Sequence, residues 1–302
     1  MLLPAEYRLT VIGKEVNLRV GIIGNGKVGC SLAALLLRKG FLTGIRGADE
    51  RKSAAAAEEL GVAYRSLREL AEYSELLVLT VPDRKISAAA EQLASSGGGL
   101  HGKVVLHCSG ASDLSCLQSV AAKGAHVGSF HPLQSFAGKC TELEGIYAAV
   151  DGDDIAAAAA EELAQQAGAH SFRVPPRERA LYHAAACICS NYAVTMAAVA
   201  QGIMSAWIGD GGSAWQALKP LFAGTSQNLL HAPAAQDALT GPIARGDVST
   251  VAAHLKVLPP EAAELYRVVG MRTAEFAAEA GKFDGKILQE FEGLFQGGSH
   301  AE

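Results

Sequence analysis

Residues Arg19 to Gly40 read RVGIIGNGKVGCSLAALLLRKG. Val20, Ile22 and Ile23 make the short apolar run expected of a parallel strand covered on both faces. Gly24-Asn25-Gly26-Lys27-Val28-Gly29 then fits G-x-G-x-x-G, and a charge-free helix pattern follows from about Val28 to Lys39. Gly24 permits a tight turn, Gly26 lets a pyrophosphate approach the backbone, and Gly29 lets the helix pack on the strand. Free N–H groups and the positive dipole at the helix start suit phosphate, so Asn25, Lys27 and Val28 join the glycines as candidate cofactor-binding residues. The alternative is a purely structural turn.

The next strand pattern, Gly40 to Ile45, ends at Arg46 and is followed by Arg51 and Lys52. An acidic residue here would bind both ribose hydroxyls, whereas an arginine pairs with a 2′-phosphate. Arg46 therefore favours NADP over NAD. Two alternatives stay open: Asp49 or Glu50 is the ribose acid in a shifted register, or Arg46, Arg51 and Lys52 form a solvated loop.

The pattern continues outward as alternating strands and helices. Helices are expected at Ser53–Leu60, Leu67–Tyr73, Ile86–Leu93, Leu114–Ala122 and Asp154–Gln166, and strands at Leu76–Val81, Lys103–His107, His126–Phe130, Ile146–Val150 and Ser171–Val174. Such alternation predicts a doubly wound parallel sheet with ligands beyond the strand carboxyl ends. Val81 to Asp83, with Val81 and Pro82 as candidate cofactor contacts, His107 to Gly110, and Phe130 to Phe136 then join the glycine turn at one rim. After Val174-Pro175-Pro176 the sequence reads as helices: Arg179–Trp207, Ser213–Leu221, Phe222–Leu230, Val248–Lys256, Pro260–Ala280 and Lys286–Phe295. The expected organisation is an extension over 1–18, a dinucleotide-binding domain over 19–174, a helical substrate and dimerisation domain over 175–295, and a disordered tail over 296–302.

The chain has 302 residues, a net charge of −5 and 49% hydrophobic residues, an ordinary soluble composition with room for two domains. Charge shows no basic stripe for nucleic acid. The N-terminus lacks the apolar core of a signal peptide, and Cys30, Cys108, Cys116, Cys140, Cys187 and Cys189 make no C-x-x-C pair. Reduced thiols, a cytoplasmic location and no metal site are expected. His183 to Gly209 holds no Asp, Glu, Lys or Arg and is long enough to span a bilayer. Ser190, Asn191, Thr195 and Gln201 argue instead for a helix buried in the helical domain or in a dimer interface.

Three groups of residues carry possible chemistry. His183, Cys187 and Asn191 are spaced i, i+4, i+8, with Ser190 on the same face; they line a wet cleft or are satisfied core groups. His107, Ser109, His131, Gln134 and Ser135 sit at adjacent strand ends, where the histidines bind a carboxylate, relay a proton or fix loops. Thr240 offers a donor to substrate, and Arg245 pairs with a substrate carboxylate or with Asp247.

VGIIGNGKVG, LLVLTVPD, VVLHCSGA, GSFHPLQSF, LYHAAACICSNY and ALTGPIARGD together resemble the dehydrogenases that join a Rossmann domain to an all-α, 6-phosphogluconate-dehydrogenase-like domain. That group includes β-hydroxyacid dehydrogenases, ketopantoate reductase, prephenate dehydrogenase and pyrroline-5-carboxylate reductase. The nearest resemblance, over about residues 19–290, is to Rossmann-like proteins with a C-terminal domain of unknown function and to NADP oxidoreductases of the deazaflavin-dependent type. It implies a homodimer formed through the helical domain and a site between the domains. Hydride would pass to or from a small carbonyl, hydroxy-acid or imine substrate. In β-hydroxyacid dehydrogenases a lysine and an asparagine lie four apart on the first long helix; Asn191 matches the asparagine, and the lysine position falls on Cys187. His183, one turn earlier, becomes the expected proton donor, with Asn191, His131 and Ser109 as its catalytic partners and Gln134, Thr240 and Arg245 binding substrate. The HPLQSF segment resembles the His-Pro turn of prephenate dehydrogenases. A sensor that keeps the nucleotide and has lost the chemistry is the alternative reading, motivated by Cys187, and a deazaflavin-dependent reductase would need a second cofactor.

Overall fold

The computed structural model describes residues 8–11, 14–17, 19–138 and 141–297. The expected tail beyond Gly297 and Cys140 lie outside the described residues. Ahead of the first sheet strand, β1 (Arg8–Val11) and β2 (Lys14–Asn17) pair antiparallel as a hairpin within the expected extension.

Seven strands form one sheet: β3 (Val20–Ile23), β4 (Leu42–Arg46), β5 (Leu76–Leu79), β6 (Val104–His107), β7 (His126–Pro132), β8 (Tyr147–Gly152) and β9 (His170–Arg173). Their spatial order is β4-β3-β5-β6-β7-β8-β9. The chain starts at β3, steps outward to β4, then crosses back to β5 on the other side. The winding therefore reverses at β3, and the crevice beyond its carboxyl end is the switch point where such sheets bind ligands.

Alternation along each strand feeds two cores. Leu76 and Val78 face one layer with Val20, Ile22, Leu106 and Phe130. Its cover is α1 (Lys27–Arg38), through Leu32 and Leu36, and α6 (Asp154–Gln166), through Ala160 and Leu163. Leu77 and Leu79 face the opposite layer with Val105, beneath Leu70 of α3 (Leu67–Tyr73), Ile86 and Leu93 of α4 (Ile86–Ala94), and Val120 of α5 (Gln118–Ala121). Between β4 and α3 lies α2 (Glu50–Leu60), whose N-cap Asp49 accepts from Lys52 N. A Ser66–Glu69 capping box starts α3, and Asp153 caps α6.

The sheet is parallel except at one pair: β7 and β8 run antiparallel. Strand and helix alternation predicts parallel pairing throughout, and the difference has a plain cause. A parallel return needs a crossover, usually a helix, and the described residues between Leu133 and Ile146 form none. The chain turns back on the near side, so β8 begins beside the carboxyl end of β7, with Leu133 N donating to Tyr147 O at 2.8 Å.

After β9 the described residues are helical: α7 (Arg179–Cys187), a π-helical turn (Ile188–Tyr192), α8 (Ala193–Met204), α9 (Gly211–His231), α10 (Val248–Val257), α11 (Pro260–Glu279) and α12 (Gly285–Gln296). The expected helix Arg179–Trp207 is continuous through Met204 but widened at the π turn. The two helices expected over 213–230 are one, α9, because Pro220 removes a single N–H without ending it. Compact packing divides the chain into Met1–Asn191 and Tyr192–Glu302, so the division falls within the π turn. In the second unit Val251, Ala274, Phe291 and Phe295 form a small core of α10, α11 and α12. No residue of α8 is fully buried, contrary to a helix buried in its own domain: it packs along α9, and Val194 and Met196 stay exposed.

Candidate active site

The glycine turn is built around Thr80, at the end of β5. Thr80 Oγ1 donates to Gly24 O at 3.0 Å, and Gly24 N donates to Arg46 O at 2.6 Å. Gly24 holds φ +134°, a conformation a side chain rarely adopts. A Cβ at Gly29 would sit 2.0 Å from Gly24 O, so helix α1 starts as close to the strand as backbone allows. Gly26 is different: a Cβ there meets nothing within 4 Å, and space lies open before the helix. Gly26 is also the N-cap, with no side-chain cap and no acidic residue in the first turn. The start of α1 thus presents uncapped N–H groups to an open crevice at the switch point. Lys27 is exposed there, while Val81 is half-buried and Pro82 exposed at the next strand end.

Arg46 closes the far side. Its Nη1 donates to Tyr64 OH at 2.7 Å, and its Nη2 pairs with Glu50 at 3.5 Å. Glu50, one of the two acids weighed for the ribose, is therefore engaged with the arginine itself.

Beyond β6, the loop Cys108–Ser112 is pinned from beneath by Arg179, which is 1% exposed. Its Nε donates to Ser112 O at 2.8 Å, Nη1 to Ser129 Oγ at 2.7 Å and Nη2 to Ser109 O at 2.6 Å, with Asp151 at 4.0 Å. Ser109 is buried, and its hydroxyl accepts from Ala111 N and Ser112 N, so it holds the loop and does not line the cavity described below. His107 is also fully buried; its Nδ1 accepts from Ser109 N at 3.2 Å, which leaves the proton on Nε2, an atom without a partner. Burial, then the Arg179 charge, pushes His107 down to about 4, so it is neutral at pH 7.

Above this loop, wholly within the first unit, lies a cavity of about 640 Å³. It is lined by His131, Leu133, Gln134 and Ser135 after β7, Phe172 from β9, Tyr182, His183, Ala185, Ala186 and Cys187 from α7, and Cys189, Ser190 and Asn191 from the π turn. A π turn takes one more residue than an α turn, which brings Cys189, Ser190 and Asn191 to the same wall. The expected face of His183, Cys187, Ser190 and Asn191 is thus brought together with His131, Gln134 and Ser135.

Four titratable groups line the cavity floor in sequence. Tyr182 OH lies 2.7 Å from His131 Nδ1. The His131 and His183 rings stand edge to face at 5.8 Å, and His183 Nε2 lies 3.6 Å from Cys187 Sγ. Gly110 allows this: a Cβ there would lie 2.5 Å from His183 Nδ1 and 2.9 Å from His131 Nε2. Burial, then His183 and Arg179, pushes His131 down to about 4, and burial pushes the Tyr182 phenol up to about 12. Both are uncharged at pH 7, and with the phenol as donor the His131 proton resides on Nε2. Thr240 and Arg245 are not part of this cluster. Thr240 lines two smaller cavities of the second unit, and Arg245 is exposed at the end of a short 3₁₀ turn outside them. Asp247 caps α10 by accepting from Thr250 N and Oγ1.

Thr80, Tyr182, Arg179 and Gly110 were not singled out from the sequence. Arg179 does carry a signal: it is a cation at the threshold of a long charge-free helix, a place where burial demands several acceptors.

Residues 10–132 match the family model of a Rossmann-like domain, and residues 146–273 match a domain of unknown function, DUF2520. The chain joins a Rossmann-like domain to a DUF2520 domain. The DUF2520 match opens on β8, so it includes the last strands of the sheet as well as α7, the π turn and most of the helices beyond. No curated protein matches the chain in sequence. Among solved structures, a presumed NADP oxidoreductase from Bacteroides fragilis aligns with TM-score 0.69 at 20% identity, over 86% of this chain and 98% of its own. A Thermotoga maritima protein aligns at 0.66 and 23% identity, over 86% and 99%. Plasmodium falciparum pyrroline carboxylate reductase, solved with NADP bound, aligns at 0.57 and 11% identity, over 91% and 98%. At these identities the likeness is one of fold.

Proposed function

We propose that this Rossmann-like/DUF2520 chain is an oxidoreductase dependent on a nicotinamide dinucleotide, NADP in preference to NAD. The observation that carries this is the uncapped helix start facing open space at the sheet's switch point. The NADP-bound relative of the same fold supports it. The residues present fit the group: backbone N–H groups over Gly24 to Gly29 would hold the diphosphate, and Arg46 would take a 2′-phosphate. When bound, the cofactor supplies or accepts a hydride.

The chain's own residues supply the rest at the cavity floor. His183 exchanges a proton with the substrate heteroatom, and Cys187 beside its Nε2 completes the hydrogen-bond path. His131, fixed by Tyr182, orients substrate through a neutral N–H, and Asn191 and Gln134 add polar contacts along the wall. The substrate is a small carbonyl, hydroxy-acid or imine compound. Calorimetric titration with NADPH and NADH tests the reading: micromolar binding of NADPH, weaker binding of NADH, and NADPH oxidation with a carbonyl and imine panel are expected. No heat with either nucleotide overturns it, and binding without turnover favours the sensor.

We infer further that the helical unit is covered by a second copy of the chain. Val194, Leu221, Leu230 and Val268 are each more than two-thirds exposed, on α8, α9 and α11. The helical stretch Pro176–Met204 is long and apolar enough to cross a membrane, yet in a cavity-bearing domain protein cover suits its Ser190, Asn191 and Gln201 better than lipid. We place the dimer in the cytoplasm, where Cys30, Cys108, Cys116, Cys187 and Cys189 stay reduced.

A further inference from the structure

We propose that the reacting molecule is electrically neutral at the end that enters the cavity: a ketone, aldehyde, ester-bearing carbonyl or neutral imine with an apolar body, and not a carboxylate. The inference deepens the oxidoreductase reading and rests on it for the word "reacting", but the charge argument concerns only what the cavity binds.

Among the described residues lining the cavity, none is Asp, Glu, Lys or Arg. Its polar wall consists of amides, hydroxyls, thiols and imidazoles, and its apolar wall includes Leu133, Phe172, Ala185 and Ala186. The arginine nearest the cavity floor in this unit does not serve an anion there. Arg179 is buried below the floor with its donors committed to Ser109, Ser112 and Ser129 and with Asp151 beside it. Its charge also acts, after burial and His183, to keep His131 neutral, so at pH 7 that imidazole offers an N–H donor and no counter-ion. A carboxylate moved into such a space loses hydration without gaining an arginine or lysine from the lining, whereas a carbonyl needs only the hydrogen bonds present. At about 640 Å³ the cavity falls within the range that takes a whole small molecule.

The test is a matched pair, ethyl 2-oxo-4-phenylbutanoate and the free 2-oxo-4-phenylbutanoate, on the full chain. Binding is measured by calorimetry with NADP⁺ present and with it absent, and turnover by NADPH oxidation. The ester is expected to bind at least roughly ten-fold more tightly than the acid. Gln134→Arg, which adds a cation to the exposed rim, is expected to cancel or reverse that preference. Equal or tighter binding of the acid by the unaltered chain, or no binding of the ester at millimolar concentration, overturns the proposal. Selective ester binding without NADPH oxidation supports the neutral cavity while removing the reductase reading, so the two fail separately.

Discussion

Two glycines three residues apart do opposite jobs, and substitutions separate them. Gly26 faces open space, so Gly26→Asp fits sterically and supplies α1 with the side-chain cap it lacks, worth about 1 kcal/mol to the helix. The same carboxylate sits where the diphosphate is proposed to bind. The expected outcome is a melting temperature equal to or above that of the unaltered protein, with NADPH binding lost. Gly29→Val should instead lower the melting temperature, because its Cβ would overlap Gly24 O. Thermal unfolding alongside calorimetry distinguishes the two. Glu50→Gln frees Arg46 from its exposed partner, and NADPH affinity should rise roughly two- to five-fold while NADH affinity stays level. The G-x-G-x-x-G spacing and Arg46 were legible because their meaning is local: a turn, a helix start, a strand end. Thr80 was not, since its partner Gly24 is 56 residues away and only the pairing of β3 with β5 joins them. His131 and His183 were each legible as candidates; their convergence on Gly110 was not.

At the scale of elements, the loop after β6, the middle of β7 and the start of α7 meet at one guanidinium. Arg179 reaches partners 50, 67 and 70 residues distant in the chain, which no periodicity in the sequence reveals. Removing it leaves the buried Ser109 O and Ser129 Oγ, and the half-buried Ser112 O, without their donor, next to Asp151. Arg179→Met should therefore cost on the order of 3–5 kcal/mol, measured by urea unfolding, even though methionine is apolar and of suitable length. Arg179→Lys restores charge but not the three-pronged geometry and should recover only part of the loss. A cost below about 0.5 kcal/mol for Arg179→Met would show the network to be ornamental. The antiparallel β8 and the π turn escaped the sequence for related reasons. Strand direction is decided by what the connection lacks, and one extra residue per turn barely disturbs an apolar helix pattern.

Across the whole molecule, acid stability and self-association follow from groups already described. His107 and His131 are held near 4 in the fold, below the usual 6.5. Between those values the unfolded chain binds the protons and the fold does not. Stability is fully present above about 6.5 and is lost as pH falls towards 4, by roughly 3 kcal/mol for each histidine. Urea unfolding at pH 7 and pH 4.5 should show this loss, and His107→Gln should show about half of it; identical losses would place the acid sensitivity elsewhere. The carboxylates held low in the fold, Asp210 and Asp247 among them, begin to contribute only at the acid end of that window. Sedimentation at micromolar concentration should give a dimer, and Leu221→Glu with Leu230→Glu should shift it to monomer without loss of helix content; a monomeric unaltered chain would refute the covered face. The strand-to-helix change after Val174 was legible in composition, whereas the packing division at Asn191 was not, because the helix runs through it unbroken.

Gly110 has a consequence for how relatives of this chain can diverge. The atom that any other amino acid would add there is already claimed by two imidazoles. Residues 110, 131 and 183 are consequently a single heritable character written at three places. A lineage that trades either ring for something smaller is released to place alanine or serine at 110, and one that retains both rings is bound to glycine.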